Sequence, residues 1–83
     1  MEQEAALVFV EDDDKIIAST VTTILQRSGF AVGAFTKPLD VLKVVETRAL
    51  DVLLSDVIMR HLDGIELALK VKEICPRCKV LLF

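Results

Sequence analysis

Apolar residues follow two alternating rhythms along this chain: short continuous runs, and longer stretches with the period of a helix. Residues 6–10 (ALVFV) form a continuous β-branched and aromatic run, as a parallel strand covered on both faces requires. Asp14 stands where an N-cap belongs, before a predicted helix that reaches about Ser28 with Ile17, Val21, Ile24 and Leu25 on one face. Gly29 takes the position that ends such a helix. Residues 30–35 read as a second strand. Thr36 and Pro38 open a second helix, lined on one side by Leu39, Leu42 and Val45. Residues 52–54 make a third strand that closes at Ser55 and Asp56. After a loop over 57–62, Asp63 is placed to cap a third helix running to about Ile74, and residues 79–83 form a fourth strand.

The order βαβαβαβ predicts a doubly wound α/β fold, a parallel sheet with helices on both faces. Ligands of such sheets bind beyond the carboxyl ends of the strands, where the strand order reverses. The acids of this chain gather at those ends: Glu11, Asp12, Asp13 and Asp14 follow the first strand and Asp56 follows the third.

Composition narrows the function. With 83 residues there is room for one domain, and 53% hydrophobic content excludes a disordered chain. The net charge is −3 and no basic stretch occurs, so neither nucleic acid nor an anionic membrane surface is expected as a partner. The acidic N-terminus lacks the basic region of a signal peptide, and no apolar run nears the roughly 20 residues of a membrane helix. A cytoplasmic protein is expected. Cys75 and Cys78 form a CPRC after the third helix, not at the helix N-terminus where a redox pair is activated. The one histidine, His61, is distant, so the expectation is two ordinary reduced thiols in a helix-to-strand turn.

Asp14 and Asp63 have an ordinary duty as caps. Asp56 does not, because it ends a buried strand well before the next helix. Crowding it against the first-strand acids costs repulsion and desolvation. A small hard cation such as Mg²⁺, which prefers oxygen ligands, removes that cost. A carboxylate beside such a cation can also attack phosphorus.

The acids after the first strand, together with DVLLSDVIMRHLDGIEL, resemble the receiver domain of bacterial response regulators. That family carries an acidic pair, a strand-ending phosphoacceptor, a Met usually followed by Pro, and an Asp-Gly at the third helix; here the last three elements fall on Asp56, Met59 with Arg60, and Asp63 with Gly64. The resemblance spans the whole chain. It implies a flavodoxin-like sheet of order 2-1-3-4-5, of which 2-1-3-4 is present and the fifth strand and last two helices are missing. Residues 1–83 would then be a single receiver domain, incomplete at the C-terminus. It further implies that Asp56 takes a phosphoryl group from a sensor histidine kinase or phosphotransfer protein, and that the Ile58 carbonyl joins the acids on Mg²⁺. Such a domain is a phosphoacceptor in two-component signalling, taking part in its own transfer and autodephosphorylation, and is not an enzyme. The acidic pair itself is Asp12 and Asp13 if the helix buries Ile17, Val21, Ile24 and Leu25, with Glu11 in reserve.

Two departures from the pattern stand out. Arg60 replaces the usual proline, which removes a fixed φ and adds a cation beside the phosphosite. The switch Ser/Thr after the fourth strand and the lysine of the fifth are absent from these 83 residues, leaving the fourth strand free to self-associate. Two alternatives follow. A pseudo-receiver would bind partners without phosphorylation. A phosphohydrolase of the aspartyl-phosphate type needs a second aspartate two residues after the first, where this chain has Ile58.

Overall fold

The computed structural model describes residues 5–58 and 63–83. Seven elements alternate in the order β1 (Leu7–Glu11), α1 (Lys15–Arg27), β2 (Ala31–Phe35), α2 (Pro38–Val45), β3 (Val52–Ser55), α3 (Gly64–Ile74) and β4 (Lys79–Leu82). The strands form one parallel sheet of order β2-β1-β3-β4, the flavodoxin-like arrangement expected from the sequence. The strand order reverses at β1, between β2 and β3, so the crevice that such sheets use for ligands opens at its carboxyl end.

Helix limits follow the cap chemistry. The Asp14 carboxylate accepts from the N–H groups of Ile16 and Ile17 at 2.9 and 3.3 Å, and Asp63 accepts from Glu66 N–H at 2.8 Å. Each satisfies amide groups that a helix start leaves without partners. Gly29 has φ +97°, a left-handed conformation that side-chain-bearing residues rarely adopt, and its N–H donates to Gln26 O. At the other end of the sheet, Asp51 ties strands together: its carboxylate accepts from Leu7 N–H at 2.7 Å and its carbonyl from Lys79 N–H at 2.9 Å.

The core lies on one face, where α2 and α3 cover Phe9 and Leu53 with Val41, Val45, Leu67 and Val71. Strand alternation turns Val8 and Val10 to the opposite face, beneath α1. Three expectations need correction. β1 extends one residue further than the apolar run, because Glu11 pairs with both Phe35 and Ser55. In α1 the inward stripe is Ala18, Val21, Thr22 and Leu25, leaving Ile17 and Ile24 exposed. The small Ala18 stands where the helix meets the sheet. In α2 Pro38, Val41 and Val45 are buried and Leu42 packs against the core, so of the expected stripe only Leu39 is exposed.

β4 forms one edge of the sheet, and its neighbourhood exposes Leu81, Leu82 and Phe83. An apolar edge with open backbone groups is a template for another strand. The 83-residue polypeptide is therefore expected to run in light scattering as a dimer or larger species that dissociates on dilution. A sharp monomer at all concentrations would show that this edge is protected.

Candidate phosphoacceptor and metal site

The carboxyl ends of β1 and β3 are held side by side by the sheet itself. The Asp56 N–H donates to Glu11 O at 3.0 Å, and the Asp12 N–H donates to Phe35 O at 3.1 Å. These ladder bonds carry the two aspartates just past their strands. Ligand oxygens of Asp12, Asp13 and Asp56 consequently lie within 4.8 Å of one another. Asp12 is buried, Asp56 half-buried and Asp13 exposed.

The backbone shapes this cluster. The Asp12 carboxylate accepts the Asp14 N–H at 2.9 Å, and Asp56 Oδ1 accepts the Ile58 N–H at 3.2 Å, so each chain end curls around its own carboxylate. Burial above all, and then Asp56, Asp13 and Asp14, push the Asp12 carboxyl above its ordinary range, against the lowering effect of the Asp14 N–H. Oxygens this close can all reach one ion at the metal–oxygen distances of Mg²⁺ and Ca²⁺, about 2.1–2.4 Å. Three carboxylates around one point are also the donor chemistry such ions prefer. The cluster thus fits a divalent cation.

Glu11 goes elsewhere. It shares the face of β1 that carries Phe9, is fully buried, and both its carboxylate oxygens lack a hydrogen-bond partner among the described residues. Its carboxyl is pushed up to about 8, chiefly by burial and then by the charges of Asp12, Asp13 and Asp40. The apolar run of β1 gives no sign of this, since the sequence continues from Val10 into a row of acids without a break. Only the period-two alternation from Phe9 to Glu11 points to it.

Two further residues support the site. Ser55 is buried and its hydroxyl donates to Asp56 O at 3.0 Å. Gly64, at the start of α3, donates its N–H to Val57 O at 2.7 Å, and a Cβ there would overlap the Asp56 carbonyl. The glycine lets α3 press against the backbone that presents Asp56. Its signal was the Asp63-Gly64 pair, whose spatial reason the sequence does not disclose. Met59 and Arg60 lie outside the described residues, and the described part of the loop ends at Ile58, whose N–H is tied to Asp56.

The family model of the response regulator receiver domain matches residues 8–83. This chain belongs to that family. It is 37% identical over 75 residues to the DNA-binding transcriptional regulator NtrC of Proteus hauseri, covering 90% of this chain and 16% of that protein. It is 35% identical over 66 residues to the regulatory protein VanRc of Enterococcus gallinarum, covering 80% of this chain and 29% of the relative. The chain thus spans less than a third of the length of either. Among solved structures, a BeF3-activated DrrB receiver domain superposes with a TM-score of 0.83 at 31% identity, over 94% of this chain and 64% of that one.

The orphaned Glu11 gives this receiver a definite pH dependence. Between pH about 4.5 and about 8 the folded protein keeps a proton on Glu11 that the unfolded chain has lost, so folding stability falls as pH rises through that window. The loss totals on the order of a few kcal/mol. In chelator and at one protein concentration, Glu11→Gln should unfold at higher urea than wild type at pH 8, with the gap closing towards pH 4.5. A gap of equal size at both pH values would show that Glu11 is not protonated in the fold.

Proposed function

We propose that Asp56 accepts a phosphoryl group from a phosphohistidine on a sensor histidine kinase or phosphotransfer protein, in the cytoplasm. The observation that carries this reading is the gathering of the Asp12, Asp13 and Asp56 carboxylates within 4.8 Å at the carboxyl ends of β1 and β3. The chain would act as a phosphoacceptor in two-component signalling, and its chemistry would be limited to its own phosphorylation and dephosphorylation.

The residues would act as follows. An Asp56 carboxylate oxygen attacks phosphorus in line with the departing imidazole; the P–O bond forms, the P–N bond breaks, and the imidazole nitrogen takes up a proton. Asp12 and Asp13, with Asp56 and the Ile58 carbonyl, would hold Mg²⁺. When bound, the cation neutralises charge shared by the carboxylates and the incoming phosphoryl group. The Ile58 N–H fixes the orientation of the Asp56 carboxylate, which restricts which oxygen is free to react. A protein donor is favoured by the rim of the site: Ile16, Ile58 and Ile65, at the starts of α1 and α3 and in the loop between β3 and α3, are exposed by 77%, 82% and 53%. Isolated apolar side chains of this size around a charged centre suit a partner that brings its own apolar surface.

Two measurements check the proposal. Incubation with acetyl phosphate and Mg²⁺, followed by intact-mass analysis, should add one phosphoryl group to wild type and none to Asp56→Asn. An unchanged gain in the variant would move the acceptor elsewhere, and no gain in wild type is the outcome expected of a pseudo-receiver. For the cation, Asp13→Ala should weaken Mg²⁺ binding at least tenfold, whereas Glu11→Ala should change it far less, because Glu11 sits under the sheet. The reverse ranking would put Glu11 in the metal site.

A further inference from the structure

The turn between α3 and β4 holds both cysteines in an arrangement that phosphoryl chemistry leaves unused. Cys75 ends α3, its N–H donating to Val71 O at 2.7 Å. The Cys78 N–H donates back to Cys75 O at 3.0 Å, closing a four-residue turn with Pro76 in its second position. A turn of this kind keeps its first and last Cα atoms within about 7 Å, and disulfides bridge Cα separations of about 4.4–6.8 Å. Both side chains join the same apolar cluster: Cys78 is a fully buried member, and the half-buried Cys75 packs against it. Each thiol makes one hydrogen bond, a weak one as S–H donors give, from Cys75 Sγ to Leu50 O at 3.5 Å and from Cys78 Sγ to Lys79 O at 3.4 Å. The Lys72 ammonium donates to the carbonyls of Pro76 and Cys78 at 2.9 and 2.7 Å, which holds the turn closed from outside.

Position on the helix decides what kind of pair this is. An oxidoreductase CxxC lies at a helix N-terminus, where the dipole stabilises the thiolate. Cys75 lies at a helix C-terminus, the negative end, and burial followed by the Cys75 charge pushes the Cys78 thiol up. The pair is therefore not placed as the dithiol of an oxidoreductase is.

We propose that Cys75 and Cys78 are a reversible modification site, closing to an intramolecular disulfide by exchange with a small disulfide of the glutathione class. The more accessible Cys75 loses its proton and attacks one sulfur of glutathione disulfide, releasing a glutathione thiolate and leaving glutathione on Cys75. Deprotonated Cys78 then attacks the Cys75 sulfur and expels the second glutathione thiolate. One disulfide is broken and one formed; the two protein thiols are oxidised, and the two glutathiones leave reduced, taking up the two protons. The turn lies at the opposite end of α3 from Gly64 and Asp56, so the acidic cluster takes no part.

The test uses the native chain with excess glutathione disulfide, quenched in acid, denatured, alkylated and weighed intact. Wild type should lose two hydrogens and accept no alkyl group, and a dithiol reductant should restore both reactive thiols. Cys78→Ser should stop with glutathione on Cys75, while acetyl-phosphate labelling of Asp56 stays unchanged. The idea is overturned if wild type keeps two alkylatable thiols or accumulates glutathione on Cys75 without closing. It is also overturned if closure accelerates steeply in mild urea, which would mean that the pair forms only in the unfolded chain.

Discussion

Repulsion among carboxylates at the carboxyl ends of β1 and β3 is the constraint around which this receiver is arranged. Two like charges about 5 Å apart repel by roughly 3 kcal/mol at an effective dielectric near 20, a large share of the 5–15 kcal/mol that holds a domain together. Asp12, Asp13 and Asp56 meet within that distance all the same. The sheet imposes the meeting: Asp56 N–H to Glu11 O and Asp12 N–H to Phe35 O are ladder bonds that the strands cannot release singly. The apolar face beneath, with Phe9 and Leu53 packed against Val41 and Leu67, anchors those strands. Core burial thus stabilises a surface cluster that is unfavourable in isolation, and the cluster's remaining charge is what a divalent cation and a phosphoryl group can exploit.

Glu11 shows how far the same field reaches. A carboxyl with no hydrogen-bond partner among the described residues, buried under the sheet beside three aspartates, keeps its proton well into the neutral range. Replacing it with a neutral side chain should stabilise the fold above its ordinary titration range. Ser55 and Gly64 act in the other direction. The hydroxyl of one and the missing Cβ of the other let backbone and helix close around Asp56 without strain.

Much of this was legible in the sequence, for identifiable reasons. The central strands β1 and β3 leave short apolar runs because they are covered on both faces, and the edge strands β2 and β4 were legible from apolar runs although much of their surface is open. Asp14 and Asp63 marked helix starts because capping chemistry is local. Asp56 stood out because an acid ending a buried strand has no local duty. Helix faces were less legible. Ile17, Ile24 and Leu39 are large and apolar, so pattern reading put them inside, but the helices as they lie on the sheet give the interior to Ala18, Thr22 and Val41. Hydrophobicity alone does not fix helical phase when apolar residues occupy more than one side. The orientation of Glu11 was hidden for a related reason, since it depends on where β1 ends, and strand ends are set by pairing with Phe35 and Ser55. The CPRC turn read as two reduced thiols, and both are free in the structure; the backbone bond from Cys78 to Cys75 that closes the turn is not legible from residue types alone.

The central claim is that the fold holds an acidic cluster whose repulsion a divalent cation relieves. Urea unfolding at pH 7.5, with and without Mg²⁺ at about a hundred times its dissociation constant, tests it most directly. Binding confined to the folded state should raise stability by about 2.7 kcal/mol, and the gain should vanish in the Asp12→Ala, Asp13→Ala double variant. An equal gain in that variant, or none in wild type, would contradict the account.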